Sequence, residues 1–510
     1  MAGGTVVGLD VGSQLIKVVE LRRSGSGVEV TALDLAPTPQ EAMDNGLIID
    51  AQLLGKAVKD LLGKAHVTAK RCVSSVSGQS AVVVRVLEVP QVADSELANQ
   101  MQFEAERQVP FSLSESIMDF CAIPRAEGYA EGDMMEVLLA VAQSDLVDKH
   151  VEMLFAAGLK PDAIDVEPIA IGRALLELGN VADIAGHTVA IVNIGASNTD
   201  ISIFRDRILS FPRIVPIAGD HLTRAIADYM QVDLVTAEQY KREYGEVLMD
   251  QLAAPSTFTG QTDTGGFTDG GFKDFSSEMA PPSANMPFDF SSPGATPSFT
   301  TEEQSAFSVP GAAPQASPFD FASQGGGTSE NTGTSEQTLG GTSEQGGTGT
   351  SETQMGTAET MFGSGFPSGF QTMEAVPTQW APATGELTGT TSDAGQDTLK
   401  IQVFNCMAPV LAELVSEVRR SLDYYRGRNG EAQINEVLLV GGSANIKNLA
   451  TFVEQELGIP TRVANPLQGM NVTSKNYSPD HLLEIATLFP ISIGLGARDL
   501  VASASGKKRR

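Results

Sequence analysis

Cysteine is scarce in this chain of 510 residues. The three cysteines, Cys72, Cys121 and Cys406, lie far apart, with no Cys-x-x-Cys pair and no paired histidines beside them. An odd number at this spacing predicts neither a disulfide framework nor a zinc site. We therefore expect a reducing compartment, the cytoplasm.

Basic residues are also few. The sequence has 34 Lys and Arg against 63 Asp and Glu, which gives a formal net charge of −29. A chain of this charge repels polyphosphate backbones, so we expect no binding to nucleic acid. The one strongly basic stretch is Lys507–Arg510.

Long hydrophobic runs are missing as well. No basic start followed by an apolar run, typical of a secretion signal, opens the sequence, and no apolar stretch approaches the roughly 18 to 20 residues that span a bilayer. We expect contact with a membrane only through a partner protein.

One segment, residues 251–395, has almost no Ile or Val and a single basic residue, Lys273. It is rich in Gly, Ser, Thr, Pro and Gln, a composition that buries too little apolar surface to offset the entropy of ordering. The segment is predicted to be a disordered insertion. Two Pro-Phe-Asp-Phe segments, Pro287–Phe290 and Pro318–Phe321, are either docking motifs or part of a tolerated loop, and the loop is favoured.

The remaining residues, about 365 of them, form two blocks with alternating strand and helix patterns, typical of one composite α/β unit. Three predicted strands near the start, Thr5–Val11, Leu15–Leu21 and Val28–Leu35, are followed by a helix at Ala51–Gly63. A long helix is predicted near Thr398–Tyr425, and a helix from Ile446 to Leu457. The predicted ranges are 1–72 and 161–187 for a first lobe, 73–160 for an inserted small α/β subdomain, 188–250 and 396–485 for a second lobe, and 486–510 for a closing helix and basic tail.

Two strand–turn–strand blocks share a design. The first runs Asp10-Val11-Gly12-Ser13 with Lys17 on the returning strand, and the second runs from Asn193 through Gly195-Ala196-Ser197-Asn198-Thr199 to Asp200. Small residues let backbone N–H groups approach phosphate oxygens, and Ser13, Ser197 and Thr199 add hydroxyl donors. Either block alone is equally well explained as an ordinary β-hairpin.

A third block, Val437–Val440 followed by Gly441-Gly442-Ser443, is an apolar strand that meets two glycines before a predicted helix. Paired glycines allow a flat ring or a phosphate to lie against the backbone, and a helix start favours an anion. Simple close packing is the alternative. The three blocks in this order indicate two jaws around one anion.

With these residues the chain resembles the actin-like ATPase superfamily, over everything except the insertion. The Asp10–Lys17 stretch is similar to the first phosphate motif of that family, Asn193–Ile203 to the second, and Val437–Ile446 to the adenosine motif. Glu167-Pro168 resembles the first connecting motif. Glu238 and Lys241 match a ribose-contacting pair, although this spacing is also that of a solvated helix salt bridge.

The resemblance is greatest to the PilM type of pilus assembly proteins. It is carried by Phe103–Phe111, Lys241–Gly245 and Val418–Tyr425 together with the first hairpin, and Phe103–Phe111 is the most discriminating stretch. It implies an FtsA-like and PilM-like two-lobed fold and ATP with Mg²⁺ as ligands. It also implies docking of the N-terminal tail of a PilN-like inner-membrane protein beside the small subdomain, and a link to pilus motor and platform proteins.

The resemblance implies a set of site residues. The expected nucleotide-binding residues are Asp10, Gly12, Ser13, Lys17, Gly195, Ala196, Ser197, Asn198, Thr199, Gly219, Glu238, Lys241, Gly441, Gly442 and Ser443. Asp10, Glu167 and Asn193 are expected to contact Mg²⁺ through water.

One departure from the family concerns Asn193, which stands where the family usually has Asp. Loss of that charge should lower Mg²⁺ affinity and water activation, or else the amide serves similarly in a protein that binds ATP and barely hydrolyses it. We therefore expect nucleotide binding rather than catalysis. The alternatives are an FtsA-like cell-division protein and a small-molecule kinase, although no separate motif for a kinase base is found.

Overall fold

The computed structural model describes residues 5–25, 27–44, 46–78, 81–124, 133–179, 186–252, 393–430, 432–473 and 476–502. The chain divides into two units, Met1–Gly260 with Leu387–Arg510, and Gln261–Glu386. All described residues belong to the first unit. The predicted disordered insertion lies outside the described residues except at its two ends, where short helical segments occur, and the tail beyond residue 502 lies outside them entirely.

The strands, in chain order, are β1 (Val6–Val11), β2 (Leu15–Ser24), β3 (Gly27–Pro37), β4 (Met43–Asp44), β5 (Leu47–Ile48), β6 (Arg71–Val76), β7 (Val82–Pro90), β8 (Ser116–Ala122), β9 (Met134–Gln143), β10 (Lys160–Val166), β11 (Thr188–Ile194), β12 (Thr199–Arg205), β13 (Ile208–Val215), β14 (Glu436–Val440), β15 (Thr461–Val463) and β16 (Asn471–Val472).

The α-helices are α1 (Ala51–Lys64), α2 (Asp94–Gln108), α3 (Ser144–Ala156), α4 (Glu167–Gly172), α5 (Gly219–Met230), α6 (Leu234–Tyr244), α7 (Met249–Leu252), α8 (Asp393–Arg428), α9 (Leu449–Leu457), α10 (Pro479–Ile485), α11 (Pro490–Gly496) and α12 (Arg498–Ala502).

The first lobe is built on a six-stranded sheet in the order β10-β6-β1-β2-β3-β16. The three predicted strands at the start of the chain are confirmed as the antiparallel meander β1-β2-β3. Its strands are apolar on both sides because both faces are covered: Leu9 and Ile16 pack with α1 and α3, whereas Leu21 packs with α11.

The second lobe has a five-stranded sheet in the order β13-β12-β11-β14-β15. Helices α5, α6, α8 and α9 pack on it around a core that includes Ile201, Ile226 and Leu411. The long helix α8 contains an 18-residue window with a mean hydropathy of 1.3, which by length and composition alone could cross a membrane. The expectation that no apolar stretch is long enough is therefore wrong, but α8 buries Val403, Met407, Leu411 and Val415 in this core, as soluble core helices do.

The inserted subdomain is a three-stranded sheet, β7-β9-β8, with α2 on one face. It is narrower than the predicted range 73–160. Strand β6 pairs in parallel with β1 of the first lobe, and Met153 and Leu154 of α3 lie in the first-lobe core. Helix α3 therefore packs mainly against α1 of the first lobe and makes less apolar contact with the small sheet.

The predicted helix from Ile446 to Leu457 begins later than expected. A 3-10 turn covers Gly442–Asn445, and α9 starts only at Leu449 after Asn448 adopts a left-handed φ of 63°. Strands β6, β8, β10 and β13 were not predicted. All four carry polar, charged or proline residues that break the apolar pattern, as Pro212 does in the edge strand β13.

Two helices connect the lobes and cross at very short range. Helix α4 leads from the first lobe toward β11, and α11 follows the second lobe back onto β1. A Cβ at Gly494 of α11 would overlap the carbonyl of Ala170 in α4, and a Cβ at Gly8 would overlap the carbonyl of Ser492. Glycine is required at both positions because two backbones are in direct contact there.

We expect Gly494→Ala to destabilise the fold by about 3 kcal/mol, because the added methyl forces two packed backbones apart. The measurement is chemical denaturation at equilibrium. Gly427→Ala in α8 is the matched control: a Cβ there has no atom within 4 Å, and because alanine favours the helix the change should stabilise the protein slightly, by at most about 1 kcal/mol. Equal stability of the Gly494→Ala variant and the wild type would contradict the close packing.

Candidate nucleotide site

The first hairpin places a buried ion pair at the end of the β1–β2 ladder. Asp10 pairs in register with Lys17, and Lys17 Nζ lies 2.6 Å from Asp10 Oδ2. The Asp10 side chain is 2% exposed, so the ammonium is its charge partner in a poorly hydrated place. The turn is closed by the Gly12 N–H, which donates to Leu15 O at 3.0 Å.

The second hairpin has the same construction. Asn193 of β11 pairs in register with Asp200 of β12, and Asn193 Nδ2 donates to Asp200 Oδ2 at 3.2 Å. Its turn is closed by the Gly195 N–H, which donates to Asn198 O at 3.1 Å. In each hairpin the paired polar residues are seven positions apart and the turn begins with glycine.

The diglycine corner follows β14, which runs parallel to β11. Gly441 has a φ of 93°, and a Cβ at this position would overlap the carbonyl of Ile194 and lie 2.8 Å from Asn193 Oδ1. Only glycine allows both the positive φ and the close approach of these atoms. The Gly441 N–H donates to Thr487 O at 2.9 Å, which ties the corner to the segment before α11.

All three corners meet around one cleft. Across it, Ser13 Oγ lies 3.0 Å from Ser197 Oγ, which joins the first hairpin to the second. Gly219, the first residue of α5, joins the second hairpin to the diglycine corner, since its Cβ would lie 3.2 Å from Gly195 O and 2.7 Å from Ser443 Oγ. The predicted convergence is therefore present in the structure.

The Glu238–Lys241 pair of α6 borders the same corner. Lys241 Nζ contacts Glu238 Oε2 at 2.6 Å and donates to Gly219 O at 3.1 Å. Burial would raise the pKa of Glu238, but the Lys241 ammonium and the Thr223 hydroxyl lower it below its usual value. Because Lys241 reaches the Gly219 carbonyl, the pair is more than a solvated surface bridge.

The hydroxyl of Thr199 was expected to be a donor to phosphate, and the structure places it elsewhere. Its side chain is fully buried, and its hydroxyl donates to Ile217 O at 2.6 Å. The Thr199 hydroxyl is therefore committed to the backbone, whereas Ser13 and Ser197 remain partly exposed in the turns.

Three carboxyl groups share the base of the cleft. Burial, and then the charges of Asp200 and Asp10, raise the pKa of Glu167 at the start of α4 to about 8. Burial also raises the pKa of Asp200 to about 6, although its hydrogen bond from Asn193 acts in the opposite direction. The Lys17 ammonium acts in the opposite direction but does not offset burial and the two acids, so the base of the cleft favours an added cation.

Asp200 was missed by the sequence analysis as a site residue. The signal was present: counting seven residues from Asn193, as from Asp10 to Lys17, gives Asp200. The carboxylate lacking at position 193 therefore stands directly across the hairpin.

Direct metal ligation has no support in the described part of the chain, where no group of three or more His, Cys, Asp or Glu side chains could hold an ion. The expected contact of Asp10, Glu167 and Asn193 with Mg²⁺ is through water. The excess of carboxyl groups over cations fits that arrangement, and the contact stays a prediction.

Comparison with known proteins gives two overlapping family matches. The family described as type IV pilus assembly protein PilM matches residues 8–253, and the cell division protein FtsA family matches residues 190–480, more than half of the chain. FtsA of Streptococcus pneumoniae is 23% identical over 277 residues, 50% of this chain and 59% of that protein. FtsA of Pseudomonas aeruginosa is 24% identical over 287 residues, 50% and 64% of the two chains. The chain thus spans about three fifths of these relatives.

A solved structure, the PilM–PilN type IV pilus biogenesis complex, matches with a TM-score of 0.61 and 21% identity. The match covers 97% of this chain and 98% of that one. Two lobes around a cleft of two hairpins and a diglycine corner define the actin-like ATPase fold, as predicted. The chain belongs to the family of cell division protein FtsA, whose model matches more than half of it, and over residues 8–253 it is similar to PilM-type proteins.

Glu167→Gln should change how stability depends on pH. Because the pKa of Glu167 is raised from 4.5 to about 8 in the folded protein, its favourable contribution is complete below about pH 4.5 and is lost as the pH rises through 8. The variant should therefore gain stability relative to the wild type as the pH increases over that window. Thermal melts followed by circular dichroism measure the difference.

The control is Glu177→Gln, which changes an exposed carboxylate just beyond α4. Its melting temperature should follow the wild type at every pH. Parallel curves for the Glu167→Gln variant and the wild type would show that Glu167 is ionised normally.

Proposed function

We propose that this protein is a nucleotide-binding scaffold of type IV pilus assembly. The observation that supports it most is the meeting of the two hairpin turns and the diglycine corner around one cleft, through the Ser13–Ser197 contact and the close packing at Gly219. Small side chains at such corners leave room for a phosphate chain, and the diglycine turn suits a flat ring.

The proposed nucleotide is ATP, with its phosphates between the two hairpin turns and its ribose beside Glu238 and Lys241. Lys17, held by Asp10, supplies a cation next to the phosphates. Mg²⁺, when bound, would neutralise phosphate charge, and Asp10, Glu167, Asn193 and the newly found Asp200 would hold its waters.

Binding is favoured over turnover. Water activation needs a group that accepts a proton near the terminal phosphate, and position 193 holds an amide, Asn193, where the family usually has Asp. An amide cannot accept that proton. We therefore propose at most a weak ATPase, in which nucleotide sets the lobe geometry through different affinities for two states.

Gly442→Asp should reduce ATP affinity by more than about tenfold, because a carboxylate at the diglycine corner repels the nucleotide phosphates and occupies the turn. Isothermal titration calorimetry with Mg²⁺ and ATP measures it. Combining Gly442→Asp with Lys17→Ala should abolish binding.

Gly442→Ala is the matched control. Its Cβ would make only an ordinary contact, 3.5 Å to Leu488 Cδ2, so the fold and most of the affinity should remain. Unchanged affinity in the Gly442→Asp and Lys17→Ala double variant would reject this cleft as the nucleotide site.

A cavity of about 250 Å³, whose lining includes Glu167 and Asp200 from the base of the cleft, is the proposed site for a partner's tail. It lies between Val82–Arg85 of β7 and Pro212–Ile214 of β13, with Val166 and Pro168 among the apolar residues lining it. Strands β7 and β13 are each the outer strand of their sheet. Unpaired strand edges on two sides suit an extended peptide, which can bond to backbone groups along its length.

The proposed occupant is the N-terminal tail of a PilN-like inner-membrane protein. The similarity to a PilM–PilN complex and the match to the PilM family support it. The protein would then be cytoplasmic and held at the inner membrane through that partner, in contact with pilus motor and platform proteins.

Arg85→Glu should weaken binding of a PilN-like N-terminal peptide by about tenfold, because it reverses an exposed charge on the wall of the cavity. Fluorescence anisotropy with a labelled peptide measures the affinity. Arg107→Glu, the same change on α2 of the same subdomain, should have no effect.

Equal affinity of the Arg85→Glu variant and the wild type would place the tail elsewhere. The FtsA relatives favour one alternative, a cell-division protein that binds the C-terminal tail of an FtsZ-like partner. Binding of such a tail in place of the PilN-like peptide would support that alternative.

A further inference from the structure

Asp220 lies at the mouth of the cleft, in the first turn of α5. Its carboxylate accepts a hydrogen bond from the Ser197 hydroxyl at 3.2 Å and lies 3.5 Å from Gln14 Nε2. The Asp220 carboxylate therefore accepts a hydrogen bond from the second hairpin, and the Gln14 amide of the first hairpin lies close to it. No part of the nucleotide site predicted from the sequence includes it.

The protons of the two hairpin hydroxyls are both directed toward this carboxylate. A serine hydroxyl has a single proton, and that of Ser197 is donated to Asp220 Oδ2. The 3.0 Å contact between Ser13 and Ser197 must then use the proton of Ser13. The result is a chain from Ser13 to Ser197 to Asp220, with no hydroxyl proton left for a phosphate oxygen.

The position of Asp220 is fixed by the backbone. Its N–H donates to Ala196 O at 2.8 Å, and the N–H of Gly219 donates to Gly195 O at 3.1 Å. Helix α5 is thus attached to the turn of the second hairpin by two backbone hydrogen bonds. The carboxylate cannot leave the cleft without a rotation of its own side chain or a movement of the helix.

We propose that Asp220 is a built-in competitor for the phosphate chain, which lowers the affinity of the cleft and selects against the most highly charged nucleotide. The proposal rests on the proposed nucleotide-binding function. A phosphate that takes the Ser13 and Ser197 hydroxyls must break the chain to Asp220 and then lie beside an unpaired negative charge. The cost grows with phosphate charge, so it is larger for ATP than for ADP.

The test compares Asp220→Asn and Asp220→Ala with the wild type by calorimetric titration of ATP and of ADP, each with Mg²⁺. Asp220→Asn keeps an acceptor but removes the charge, and Asp220→Ala removes both. We expect ATP to bind about tenfold more tightly to both variants and ADP about threefold. Asp228→Asn, which removes a carboxylate from the last turns of the same helix, should leave both affinities unchanged.

A second measurement needs no nucleotide. Hydrogen exchange followed by mass spectrometry should show faster exchange at the turns 11–16 and 194–199 in the Asp220→Ala variant, because the link between the hairpins is lost. Circular dichroism melts would establish that both variants are folded.

The outcomes separate the two proposals. If the wild type binds nucleotide and the Asp220 variants bind ATP with the same or lower affinity, Asp220 is not a competitor, and lower affinity would make it a ligand of the metal–nucleotide complex. If no variant binds any nucleotide, the proposed function fails and this inference fails with it.

Discussion

Direct contact between backbones, without an intervening side chain, is the constraint on which this structure depends. Gly8 and Gly494 allow the connecting helices to lie against β1 and against each other. Gly219 and Gly441 bring the second hairpin, α5 and the end of β14 to one point. A methyl group at any of these positions would separate elements that form either the junction of the lobes or the wall of the cleft.

The charges in the cleft follow from the pairing of strands. In the first hairpin an acid faces a base, Asp10 and Lys17, and in the second an amide faces an acid, Asn193 and Asp200. The two hairpins are therefore alike in geometry and unlike in charge. The negative charge expected at position 193 is present across the ladder, so the cleft retains three carboxyl groups with Glu167.

Much of this could be predicted from the sequence. The meander β1–β3, helix α1 and strand β14 have clear periodic patterns, and the small-residue turns indicated one anion-binding cleft. The resemblance to PilM-type proteins gave the fold, which is confirmed. Strands β6 and β10 were not predicted because each pairs in parallel with a strand far away in the sequence. For the same reason α3 was assigned to the small subdomain, although its apolar face contacts α1.

The site residues that were missed, Asp200 and Asp220, share a physical reason. Neither belongs to a small-residue turn, and each acquires its place through a partner far along the chain or across a ladder. Asp220 reaches Gln14 only because two lobes meet. Thr199 is the opposite case, a predicted site residue that is not available. Its sequence context suggested a free hydroxyl, but that hydroxyl donates to the Ile217 carbonyl.

The contact between the small subdomain and the second lobe has a thermodynamic consequence. Glu136 of β9 forms a salt bridge with Arg205 at 3.2 Å, and β7 lies beside β13. The cavity between β7 and β13 is therefore bounded by parts of both lobes. Any rotation of one lobe toward the other alters the width of that cavity. Two molecules that each prefer a particular width would then influence each other's affinity reciprocally and by the same factor.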